Sequence, residues 1–93
     1  MFEYILRQIC EKIRTLKYVM TIHAEEEMDD DGLSVFDIEH GILTGNITER
    51  QKDKVTGEWK YVIEGQSTDG TSITIVTKLS ITGNLVIITV YLT

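Results

Sequence analysis

The chain has no proline, one cysteine and few aromatics, and its bases are outnumbered, nine lysines and arginines against fifteen aspartates and glutamates. A lone thiol, Cys10, cannot pair within the chain, so no disulfide framework is available. The unstapled composition and the lack of an export signal read as cytoplasmic, with Cys10 as a small buried hydrophobe. No stretch approaches the roughly 18 apolar residues of a membrane span, and the charged start (Met1 to Arg7) is no signal peptide. Paired-cysteine zinc spacing, a phosphate-loop glycine pattern and a Gly-x-Ser-x-Gly elbow are all missing. The acid excess, a net charge of −6, should repel nucleic acid, whose binding draws on cationic neutralisation of phosphates.

What remains is ordinary globular composition, 42% hydrophobic and 26% charged over 93 residues, which is one domain. A core this thin gives a partner, or a homodimer contact, weight in stability. The charge is uneven. Residues 1–18 hold four bases and two acids, residues 19–45 hold eight acids and no base, and residues 46–60 hold four bases and three acids.

Hydrophobic spacing divides the chain into an α part and a β part. Phe2, Ile5, Leu6, Ile9, Ile13 and Leu16 recur at helical intervals. Thr21 is placed to cap a second helix running from His23 to about Asp30, with Ile22, Ala24 and Met28 as its apolar contacts and Gly32 as its stop. Ser34, with Asp37 three residues on, caps a third helix that Gly45 ends. From Asn46 the period becomes two. Strands are expected over residues 47–51, 59–65, 72–81 and 85–91, the last apolar on both faces. The short connections predict an α+β fold, N-terminal helices followed by a four-stranded antiparallel sheet.

Few residues offer chemistry. His23 opens a helix, where an imidazole near neutrality can take a proton from a ribose hydroxyl, or can simply pack. His40, late in the third helix, reads as structural. The acids Glu25, Glu26, Glu27, Asp29, Asp30 and Asp31 lack the alternating loop ligands of a calcium site. They read as a solvated face or as a docking patch for a basic partner, and no metal or cofactor is expected. Trp59, Lys60 and Tyr61, with Arg50, Lys52 and Lys54 nearby, mix aromatics and cations as single-stranded RNA sites do, although alternate aromatics on a strand also serve sheet packing. Tyr91 can offer a phenol to a cleft or stand at a sheet edge.

The run Thr21-Ile22-His23-Ala24-Glu25-Glu26-Glu27-Met28, followed by Gly32-Leu33-Ser34, Asp37-Ile38, Gly45 and a closing Ile87-Ile88-Thr89-Val90-Tyr91, resembles a bacterial domain-of-unknown-function family, number 4258, over about residues 18 to 92. That family is similar in turn to the RelE/BrnT-like toxins of toxin–antitoxin systems. The resemblance implies a RelE/barnase-like fold, metal-independent endoribonuclease activity on RNA, and an antitoxin protein as partner. His23 matches the family histidine, and Thr89 and Tyr91 match the closing strand. Metal-free RNA cleavage needs a base, a phosphate cation and an acid. On this reading His23, Lys78 and Tyr91 are the candidate catalytic residues, and Lys60, Arg50 and Trp59 are the candidate substrate-binding ones. Where the family pattern carries arginine, this chain has Glu27 and Asp31, and acids beside His23 would repel RNA. The alternative is therefore a catalytically inactive interaction domain of the same fold that holds a basic protein partner through its acidic helix.

Overall fold

A computed structural model describes all of residues 1–93. Its elements run α1 (Glu3–Arg14), β1 (Tyr18–Met20), α2 (Ile22–Asp30), α3 (Val35–Thr44), β2 (Asn46–Lys52), β3 (Trp59–Gln66), β4 (Ser72–Leu79) and β5 (Leu85–Leu92). The α+β class holds, but the sheet has five strands in the order β1-β5-β4-β3-β2. Four strands form an antiparallel meander. The fifth, β1, lies parallel to β5, with Tyr18 to Met20 beside Leu85 to Ile87. The sheet is therefore mixed, which corrects the four-stranded antiparallel expectation.

Local chemistry accounts for the helix ends. The Thr21 hydroxyl accepts from the Ala24 N–H, and Ser34 and Asp37 form a reciprocal capping box. At the end of α2, Gly32 takes φ +68°, its N–H reaches the Asp29 carbonyl, and the Leu33 N–H reaches that of Met28. This is a Schellman closure. The end of α1 has the same pattern, with Leu16 N–H to Ile13 O and Lys17 N–H to Lys12 O. There the left-handed residue is Leu16, at φ +58°. Leu16, expected on the apolar face of α1, thus lies past the helix and is 72% exposed.

One core joins all three helices to one face of the sheet. Ile9 and Ile13 of α1, Ala24 of α2, and Ile38 and Ile42 of α3 meet Ile63, Ile73, Ile75, Leu85, Ile87 and Val90. Cys10 is buried among them, and burial raises its thiol pKa. Besides Leu16, two apolar residues lie outside it: Ile22, expected among the apolar contacts of α2, and Ile81, expected at the end of a strand over residues 72–81. Ile22 faces solvent at the start of α2, and Ile81 sits in the β4–β5 turn because β4 ends at Leu79. The opposite sheet face has no helix over it.

Helix α3 comes exceptionally close to β3. A Cβ on Gly65 would stand 1.9 Å from the Gly41 carbonyl oxygen. Only glycine allows that approach. Polar ties lock it: His40 Nδ1–H donates to the Gln66 carbonyl at 2.8 Å, and the Gln66 N–H donates to Thr44 Oγ1 at 3.3 Å. His40 is structural, as expected. Asp37 extends the lock to the β3–β4 turn, accepting from the Thr68 hydroxyl and N–H.

Candidate functional site

Helix α2 closes the part of the β5 edge that short β1 leaves open. Thr21 N–H donates to the Ile87 carbonyl and Thr21 Oγ1 to that of Ile88. Further along, the Val90 N–H donates to Glu27 Oε1 at 3.1 Å. An edge N–H that would otherwise be free is thereby satisfied by a side chain. The same Glu27 oxygen lies 3.2 Å from His23 Nε2, one helical turn back. The imidazole is two-thirds exposed, and its one charged partner is this carboxylate. His23 is thus held on the backbone of β5, one residue from Tyr91, through Glu27.

The other predicted residues fall into two groups on opposite faces. Strand alternation puts Trp59, Tyr61 and Ile63 on the helix side of β3, and Lys60, Val62 and Glu64 on the open side. A bulge between Ile47 and Glu49 shifts the parity of β2, so that Arg50 pairs with Tyr61 and Lys52 with Trp59. Arg50 Cζ then lies 3.9 Å from the Trp59 ring centroid and Lys52 Nζ 5.6 Å from it. This is a cation–π stack at the end of the first hairpin.

Lys60, Lys78 and Tyr91 share the open face. Continuing the β3–β4 register one step past Tyr61 and Thr77 sets Lys60 opposite Lys78. Two ammonium groups so placed repel, and each has a carboxylate: Lys60 with Asp53 at 3.5 Å, Lys78 with Glu58 at 3.2 Å. Asp53 is itself fixed by the N–H groups of Thr56 and Val55, which, with help from Lys60, hold its pKa below the usual carboxylate value. Tyr91 pairs with Thr74, four residues from Lys78 along β4, or about 13 Å. The structure brings Lys60 to Lys78 and Arg50 to Trp59, and links His23 to the β5 backbone next to Tyr91. It does not gather the six into one pocket.

The acids of α2 are the residual charge. Glu25, Glu26, Asp29, Asp30 and Asp31 are all exposed and none enters an ion pair. They also offend two local rules. Glu25 and Asp29, and Glu26 and Asp30, are like charges one turn apart. Asp29 to Asp31 crowd the helix C-terminus, where the macrodipole favours cations, and no base sits in the last turn. No cluster of three or more His, Cys, Asp or Glu is arranged to hold a metal ion. No helix is long and apolar enough to cross a membrane.

Sequence reasoning passed over one feature here: the anchoring role of Glu27, whose partner is 63 residues away. Its only sequence trace is the His-to-Glu spacing of one turn.

Comparison with known proteins gives a single result. The profile of a family described as a domain of unknown function (DUF4258) matches residues 20–92. No curated protein and no solved structure matches the chain.

Proposed function

The chain belongs to the DUF4258 family, and from that premise we propose that it is a RelE/BrnT-like interaction domain whose acidic helix α2 docks a basic segment of a protein partner, as a toxin-type domain would dock its antitoxin in the cytoplasm. One observation carries this reading: five exposed carboxylates on and just after α2 without intramolecular partners, placed where they cost the helix stability. Departures from local rules of this kind collect at functional sites, because binding there outweighs the lost stability. Charge complementarity would then set encounter rate and partner choice.

The test is binding to the protein encoded by the neighbouring gene, measured by calorimetry at about 50 and about 300 mM salt. Affinity should fall with salt, and fall again when Glu25→Gln, Glu26→Gln and Asp29→Asn are combined. Equal affinity for wild type and triple variant would overturn the proposal.

A second reading, RNA cleavage, is favoured by the accessible His23 imidazole, which Glu27 fixes on the β5 backbone. A carboxylate so placed orients an imidazole for proton transfer. The cations offered for the phosphate, Lys60 and Lys78, are committed to Asp53 and Glu58. Metal-free cleavage of RNA by the purified protein, lost in His23→Ala, would establish this activity. Equal cleavage by both proteins would remove His23 from it.

A further inference from the structure

In the basic N-terminal part of the chain, α1 and the β4–β5 turn flank an open cleft of about 500 Å³. That volume lies in the range of small-molecule sites, roughly 300–1,000 Å³. Tyr4, Gln8 and Leu79 line it together with two cations, Arg7 and Lys12, and one carboxylate, Glu11. Neither cation makes an ion pair, although Arg7 and Glu11 are one turn apart. Lys12 is half-buried, and its Nζ reaches across to Gly83, 4.0 Å from where a Cβ would stand there. Two cations lining one cleft, neither bonded to a carboxylate, leave their charge available to an anion. Gly83, at φ +91°, keeps that side of the cleft free of a side chain.

From this geometry we propose that the cleft binds an organic phosphate bearing a flat ring, the chemistry of a mononucleotide. The phosphate sits between Arg7 and Lys12, where charge-assisted hydrogen bonds are strongest. The ring lies against Tyr4 and Leu79, and the Gln8 amide can donate to and accept from its edge. The cleft is independent of the α2 docking surface, and the α1 residues that line it precede the family-matched segment.

Amide chemical shifts of the full chain, titrated with AMP, adenosine and inorganic phosphate, test this. AMP should give saturable shifts centred on residues 4–12 and Gly83. Adenosine and phosphate alone should bind at least about tenfold more weakly, because each meets half of the site. Arg7→Ala and Lys12→Ala should each weaken AMP about fivefold or more, while Arg14→Ala, an exposed cation off the cleft, should leave it unchanged. Unchanged melting of the variants would show that the fold is intact. A short 5′-phosphorylated oligoribonucleotide separates two sources of the same chemistry: stronger binding than AMP indicates an RNA end, weaker binding a free nucleotide. The proposal fails if AMP leaves these amides unmoved, if adenosine matches AMP, or if Arg14→Ala weakens binding as much as Lys12→Ala does.

Discussion

Reversing one charge at the end of α2 should make the protein more stable. Asp30 is the last residue of the helix, exposed, and one turn after Glu26. In Asp30→Lys, three terms change together. A repulsive i,i+4 pair worth about 0.2–0.5 kcal/mol is removed. An attractive pair of similar size replaces it, in the favourable order with glutamate N-terminal to lysine. The introduced ammonium also meets the negative end of the helix dipole, for about 0.3–1 kcal/mol. Allowing for solvent screening, the sum is about 1 kcal/mol, which in a domain of this size raises Tm by roughly 4–8 °C. Thermal unfolding followed by circular dichroism measures it. The gain should shrink at about 1 M salt, where the Debye length falls to about 3 Å. An unchanged Tm, or a gain indifferent to salt, would refute the claim that these acids burden the helix, and with it the reason for calling α2 a docking surface.

Other outcomes follow from the packing. Gly65→Ala sets a methyl group 1.9 Å from the Gly41 carbonyl oxygen and must push α3 off the sheet by more than an ångström. Denaturant unfolding should show a loss of about 3 kcal/mol or more, the upper end of overpacking. Leu16→Gly relieves a left-handed leucine at a cost in unfolded-chain entropy, for a net gain of about 0.5–1 kcal/mol by the same assay. Asp37 is held well below the ordinary carboxylate pKa, first by the Thr68 hydroxyl and then by the N–H groups of Ser34 and Thr68. Its contribution is complete above the unfolded value of about 4 and is lost as pH falls below that toward the folded value. The Tm difference between wild type and Asp37→Asn should therefore narrow from about pH 7 to about pH 3.

The helix caps were legible because their signals are local: Thr21, Ser34 with Asp37, and Gly32 each act within a few residues. The four meander strands were legible, three from their period of two and β5 from its continuous apolar run between turn signals. The strand β1 was not, since Tyr18-Val19-Met20 is too short to alternate and its partner β5 begins 65 residues after it ends. Sequence also could not assign faces past a bulge. One extra residue at Thr48 swings Arg50 and Lys52 onto the Trp59 side, away from Lys60 and Lys78. The candidate RNA site read from proximity in the chain is therefore divided by the thickness of a sheet.

The parallel pairing of β1 with β5 has a consequence for biosynthesis. Both β1 and the Glu27 anchor of α2 need hydrogen-bond partners within residues 85–92. As the ribosome makes the chain from its N-terminus, α1, β1 and α2 emerge long before the strand that seats them. Until β5 appears, the acidic helix has no edge to close and the isoleucines of α1 have only part of their floor, so the seating of these N-terminal elements is deferred until residues 85–92 are available.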